Sequence, residues 1–345
     1  MKELSAITCR NLWKLYGTTR QVRAALPHLA PDADRQALQD RFGVFAAVAG
    51  VEMAVARREI LAVIGLSGSG KSTLVRHLNA LVPPSAGTVE IDGTDIASLS
   101  PEALRRLRAT QVGMVFQQTS LFPHRTVLDN IAYGLEIQGI ARDRRYAEAE
   151  QWLARMQLSK WSGSYPDELS GGMQQRVGLA RTLITDPEIL LLDEPFSALD
   201  PIIRRDLQQQ FSALCRELRK TAVFITHDFV EALRVADRIA VMMDGKIVQI
   251  DAPQAIIVHP ASDYVRRLTA DINTDRVLVA GDLVVAEAPP ASTVSSDPMP
   301  FDTPLTDVLG LLSMRDVVIP VVGSDGRSLG FIDRANALRH LASRH

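Results

Sequence analysis

A nine-residue stretch, Gly65-Leu66-Ser67-Gly68-Ser69-Gly70-Lys71-Ser72-Thr73, constrains this chain more than any other. The apolar run Ile60-Leu61-Ala62-Val63-Ile64 precedes it and Leu74-Val75-Arg76-His77-Leu78 follows. That order reads as buried strand, glycine-rich loop, helix, with the spacing G-x-x-x-x-G-K-S of a phosphate-binding loop. Glycines let backbone N–H groups curl around a polyphosphate with no Cβ in the way. The helix start adds free N–H donors and the positive end of a dipole. In such a loop Lys71 brings a point charge to the β and γ phosphates, and Ser72 a hydroxyl to Mg²⁺.

The rest of the chain must supply a sheet for that loop. Ile189-Leu190-Leu191-Leu192 and residues 222–226 are short apolar or β-branched runs, as parallel strands covered on both faces should be. Residues 112–116 form a third such run, ending at Gln117. Helical patterns fill the intervals, at 143–158 with Tyr146, Ala149, Leu153 and Met156 on one stripe, and at 174–185. Alternating strands and helices imply a doubly wound α/β core. Before the loop, residues 5–15 and 45–55 read as strands. Residues 18–44 hold a helical insertion, with Asp32 or Asp34 as its cap and Leu38 and Phe42 on one face. Residues 88–93 read as a strand that ends in a tight turn.

The strand at 189–192 delivers Asp193 and Glu194 at its C-terminal tip, the edge where open α/β sheets bind ligands. Beside a phosphate loop, Asp193 fits the carboxylate that holds Mg²⁺ through water. Glu194 fits the general base that polarises an attacking water. Leu169-Ser170-Gly171-Gly172-Met173-Gln174-Gln175-Arg176 is a second glycine-bearing turn entering a helix, and so a second phosphate cradle. One chain has no evident use for two such cradles and one lysine.

With that second cradle the sequence resembles the ATP-binding-cassette (ABC) ATPases, over residues 2–271. In that family the second cradle serves the nucleotide of the opposite subunit, so that a homodimer sandwiches two ATP. The resemblance implies a P-loop NTPase fold with helical and antiparallel-β subdomains. It matches Gln117 to the Q-loop and to Mg²⁺, Ser197-Ala198-Leu199-Asp200 to the D-loop, and His227 to the switch histidine. It also matches Tyr16 to the aromatic that stacks on adenine, with Trp13 and Phe45 as rivals. The implied site is then Tyr16, the loop from Gly65 through Leu66, Ser67, Gly68, Ser69, Gly70, Lys71 and Ser72 to Thr73, and Gln117, with Ser170, Gly171 and Gly172 acting in trans. Lys71, Glu194 and His227 are the catalytic set, Ser72, Gln117 and Asp193 the Mg²⁺ set, and Asp200 couples the half-sites.

The branch is narrower still. Leu121-Phe122-Pro123-His124-Arg125-Thr126-Val127 resembles the importer type, whose post-Q-loop region receives a coupling helix from a membrane subunit. The insertion, Leu66-Ser67-Gly68-Ser69-Gly70 and His259-Pro260-Ala261-Ser262-Asp263 look like the glycine betaine/proline (quaternary amine) importer ATPases. Those carry C-terminal CBS domains (cystathionine β-synthase type). Residues 293–341 resemble one such motif, with helix at 304–312, strands at 317–322 and 329–332, and helix at 333–341. Residues 277–285 are a candidate remnant of another. Asp333 is followed by Asn336 where nucleotide-binding copies often place an acid. A single motif would pair with its copy in the other subunit. Arg58-Glu59 replaces the family's usual Gly-Glu, a change expected to be silent.

The expected organisation is an ABC ATPase domain at 1–271, a linker at 272–292 around Pro289-Pro290, and a small α+β domain at 293–345. The expected role is the ATP-hydrolysing subunit of an importer for glycine betaine, proline betaine or a related compatible solute. Its partners would be permease subunits and an extracytoplasmic binding protein, and its place the cytoplasmic face of the membrane. An importer ATPase for another solute, such as an amino acid, is the alternative; a non-transport ABC ATPase is a further one. Composition bears on the last: 5% aromatics and a net charge of −2 disfavour a nucleic-acid surface. Cys9 and Cys215 are too far apart for a disulfide framework or a zinc site. No apolar run is long enough to span a bilayer.

Overall fold

A computed structural model of the chain describes residues 5–30, 33–117, 119–197, 199–270, 272, 278–285, 294–295, 297–314, 317–335 and 337. It divides into two units, 1–250 and 251–345. Among the described residues no helix is long and apolar enough to cross a membrane.

The first unit is built on two sheets. β1 (Ser5–Tyr16) and β2 (Phe45–Ala56) pair antiparallel, and β4 (Ala86–Ile91) and β5 (Thr94–Asp95) complete a sheet of order β2-β1-β4-β5. Between β1 and β2 lies the insertion, α1 (Thr19–Ala25) and α2 (Arg35–Phe42). Asp34 caps α2 by accepting from the Gln36 N–H at 3.0 Å, while Asp32 lies outside the described residues. Leu38 is buried with Trp13, Leu15, Ala25 and Val44, and Phe42 packs on that cluster. The i,i+4 pair therefore seats the insertion on β1 and β2, as the sequence implies.

The second sheet has the order β10-β9-β3-β8-β7-β6. Its strands are β3 (Ile60–Ile64), β6 (Val112–Val115), β7 (Ile189–Asp193), β8 (Thr221–Thr226), β9 (Arg238–Met243) and β10 (Lys246–Asp251). From β9 to β6 every pairing is parallel, and β3, β7 and β8 are buried throughout. Continuous apolar runs thus became central strands. α3 (Lys71–Leu78) follows β3, and its Leu74, Val75 and Leu78 join Ile7, Val89, Val63 and Val223 in one core.

Around this frame stand α4 (Pro101–Thr110), α5 (Val127–Ile137), α6 (Arg142–Arg155), α7 (Gly171–Leu183), α8 (Pro201–Glu217) and α9 (Phe229–Val235). On α6, Ala149 and Leu153 are buried, as is Met156 at its end. The turn at Arg58 departs from expectation. Its φ is +66°, the left-handed region that glycine occupies freely and a side chain does not. Arg58 in place of glycine is therefore a strained substitution, not a silent one.

The second unit contains α10 (Pro253–Val258), α11 (Asp263–Leu268), β11 (Met299–Pro300), α12 (Leu305–Met314), β12 (Ile319–Val322) and β13 (Ser328–Ile332). β11 pairs parallel and β13 antiparallel with β12. Val279 and Val285 make single bridges to Pro304 and Phe331. The Pro289-Pro290 stretch, Asp271, Asn336 and most of 333–341 lie outside the described residues.

Candidate nucleotide site

β3 ends at the floor of a loop whose backbone needs glycine. Gly70 caps α3 at φ +103°, and a Cβ there would stand 2.1 Å from the Ala47 carbonyl oxygen. Gly68, at φ +80°, faces open space. The loop is tied down by the Ser69 N–H donating to the Leu66 carbonyl (3.2 Å) and by the Gly245 N–H donating to the Ser69 carbonyl (3.0 Å). Ser69 Oγ is buried and has no hydrogen-bond partner. Such an orphan is rare in a folded chain and marks a cradle shaped for something else.

Lys71 is buried, and its ammonium donates to the carbonyls of Gly65 (2.7 Å) and Leu66 (3.1 Å). Burial pushes its pKa down, while Glu194 and Asp193 pull it back up. Ser72 Oγ donates to Asp193 Oδ1 at 3.0 Å, which places a hydroxyl and a carboxylate side by side. These hard oxygen donors suit Mg²⁺, which takes few protein ligands and keeps its waters and phosphates. Arg76 stands one helical turn beyond Ser72, with Nη2 3.6 Å from Asp193 Oδ2. The i,i+4 spacing from Ser72 was the available signal for it, and the sequence reading passed over it.

Glu194 follows β7 at φ +46°, in the left-handed region. Its Oε2 accepts from Gln117 Nε2 at 3.3 Å, and His227 Nδ1 lies 3.4 Å from the same oxygen. Three residues separated by up to 110 positions thus meet at one carboxylate oxygen. Gln117 thus donates to Glu194, while Ser72 donates to Asp193. Behind His227 a buried group holds the strand end. Glu231 accepts from Thr226 Oγ1 and from Gln208 Nε2 (3.1 Å), and burial pushes its carboxyl pKa up.

A cleft of about 260 Å³ opens over the loop, lined by Tyr16, Phe45, Ala47, Ser67, Gly68, Gly70, Lys71, Ser72, Thr73 and Glu194. Tyr16 is 46% exposed and Phe45 39%. Trp13 is fully buried in the core under the insertion and can stack on nothing outside it. Ser170, Gly171 and Gly172 do not line the cleft. Ser170 caps α7, accepting from the Met173 N–H at 3.4 Å, and it is exposed with Gly171 beside it. Asp200 caps α8, accepting from the Ile202 and Ile203 N–H groups at 3.1 Å each; Ala198 of the same loop lies outside the described residues. Arg204 donates to the Leu199 carbonyl (2.9 Å) and reaches Asp228 at 3.8 Å, so this loop is linked to the residue after His227.

With that geometry in view, comparison with known proteins is specific. The ABC transporter family pattern matches residues 48–197. The glycine betaine transport ATP-binding protein OpuAA of Bacillus subtilis is 46% identical over 271 residues, 79% of this chain and 64% of OpuAA, so the match spans under two thirds of that relative. The trimethylamine N-oxide transport system ATP-binding protein TmoW of Ruegeria pomeroyi is 44% identical over 338 residues, 96% of each chain. Among solved structures, a dimeric post-hydrolysis state of the ATP-binding cassette MJ0796 bound to ADP and Pi matches at a TM-score of 0.60. It is 29% identical and covers 72% of this chain and 98% of that one.

Proposed function

This chain belongs to the ABC transporter family of ATP-binding proteins and binds ATP, and from that premise we propose that it energises import of a small methylated-nitrogen compatible solute. The observation that carries the catalytic half is the meeting of Gln117 and His227 at the Glu194 carboxylate, beside the Lys71 and Ser72–Asp193 cluster. The relatives carry the solute class. OpuAA and TmoW are named for glycine betaine and trimethylamine N-oxide, which share a trimethylated nitrogen.

The chain's own residues then have separable tasks. The glycine loop and the α3 N-terminus hold the phosphates through N–H groups. Lys71 turns its ammonium from the Gly65 and Leu66 carbonyls to the β and γ oxygens. Ser72 and Asp193 would hold Mg²⁺, which would supply positive charge to offset that of the phosphates. Glu194 accepts the proton of the water that attacks the γ phosphorus as the bond to the β–γ bridging oxygen breaks and ADP leaves, while Gln117 and His227 keep its carboxylate in place. Tyr16 faces the base. Ser170, Gly171 and Gly172 act on the nucleotide of a second copy, and Asp200 links the two half-sites. The exposure of Ser170, Gly171 and Asp200, and the absence of all four residues from the cleft, support that reading.

In this proposal two copies work with polytopic permease subunits at the cytoplasmic face of the membrane, and an extracytoplasmic binding protein chooses the solute. The ATPase domain is 1–271, the linker 272–292, and 293–345 a CBS-like module. The test is ATP turnover by the complex purified with its permease in mild detergent. Stimulation by glycine betaine, proline betaine or trimethylamine N-oxide supports the reading. Stimulation by an amino acid such as methionine alone would move the chain to the alternative. Failure to retain any polytopic membrane protein would remove the transport role.

A further inference from the structure

Arg35 of the insertion between β1 and β2 touches a ring that lines the cleft. Arg35 opens α2, and its guanidinium carbon lies 4.1 Å from the centroid of the Phe45 ring. Nη1 of the same guanidinium is 3.5 Å from Asp244 Oδ1. Asp244 sits in the turn whose next residue, Gly245, donates its N–H to the Ser69 carbonyl of the phosphate loop. Phe45 itself lines the cleft and is the register partner of Tyr16 on the neighbouring strand. Cross-strand partners point to one face of a sheet, so both rings stand on the face that the cleft opens over. Both are backed by a cation: Lys14 Nζ lies 5.4 Å from the Tyr16 centroid and is held by the Pro83 carbonyl at 2.8 Å.

We infer that Arg35 positions the Phe45 ring for the purine base beside Tyr16, and that the helical insertion is thereby a working part of the nucleotide site. The inference rests on the ATP reading above. A guanidinium parked on one side of Phe45 leaves the cleft side of the ring for a planar ligand, and a cation next to a stacked pair strengthens it. Rigidity comes from three sources. Asp34 caps α2 immediately before Arg35, Asp244 pins the guanidinium, and Leu38 anchors the helix on the core with Trp13 and Val44. The same Asp244 turn holds Ser69, so base end and phosphate end are fixed to one turn. Arg35 is thereby a positioning residue, and Phe45 a base-contacting one.

Calorimetric titration of the full chain with ATP and with inorganic tripolyphosphate tests this. Arg35→Ala and Phe45→Ala are each expected to weaken ATP by about threefold to tenfold. Both should bind tripolyphosphate, which has no base, within about twofold of the parent. Asp244→Asn, at an exposed turn, should reproduce part of the ATP loss if Arg35→Ala fails to fold. ATP affinity unchanged in these variants would overturn the inference. Equal loss of ATP and tripolyphosphate would overturn it too, because the residues would then support the loop and not the base. Lys71→Ala separates the premise: if the parent binds no ATP, or Lys71→Ala binds it as well, the ATP reading itself fails.

Discussion

At the residue scale the site turns on Glu194. Its carboxylate gathers Gln117 and His227, and its left-handed backbone is strain that the surrounding loop sustains. Glu194→Gln keeps the shape and removes the base. Steady ATP turnover is expected to fall by about a hundredfold or more while nucleotide binding persists, measured by phosphate release and by titration. Turnover within a few-fold of the parent would take the base role from Glu194. Most of these residues were legible before the fold, since motif residues keep their spacing whatever packs behind them. What was not legible was choice among equals. Trp13, Tyr16 and Phe45 are all aromatic and close in sequence, but β1 turns Trp13 into the core and leaves the other two at the cleft. Arg76 escaped because an arginine on a helix usually faces water, and only its approach to Asp193 gives it a task.

At the element scale α3 carries the loop, and it carries a liability. His77 on its inner side is buried, with neither ring nitrogen partnered. Burial, with Lys14 nearby, pushes its pKa down to about 4. The folded chain therefore holds His77 neutral, whereas the unfolded chain takes a proton near pH 6.5. Stability is unaffected by this group above about pH 6.5 and is lost as pH falls from there toward about 4, by about 3 kcal/mol in all. Urea melts across that range should show the slope, and His77→Phe or His77→Leu should flatten it. The turn before β3 gives a second test. Arg58 at φ +66° is a side chain where glycine would be relaxed, so Arg58→Gly is expected to raise stability by about 0.5–1 kcal/mol. The central strands were legible because burial on both faces forces unbroken apolar runs. α8 and α9 were not, because their caps, Asp200 and Asp228, lie inside motifs already read for chemistry. The insertion was visible as a helix from Leu38 and Phe42, but its contact with Phe45 joins parts that no periodicity links.

At the scale of the whole molecule the proposal makes the glycine loop half of a site. Ser170 and Gly171 stand exposed at the start of α7, and neither they nor the buried Gly172 line the cleft that Lys71 lines. A phosphate cradle with no phosphate site of its own is accounted for by a second copy. Ser170→Arg should leave ATP binding by a single chain within about twofold, because Ser170 does not line its own cleft, and should block association of two chains. Equilibrium titration and sizing check the two halves separately. In the C-terminal unit a helix and two strands were legible, and α12, β12 and β13 follow that outline; β11, two residues long, gave no pattern to read. The most direct test of the central claim is the solution mass of Glu194→Gln with and without Mg-ATP. A chain of 37.8 kDa is expected without nucleotide and a species of twice that mass with ATP bound. A variant that binds ATP fully and stays at the mass of one chain would contradict it.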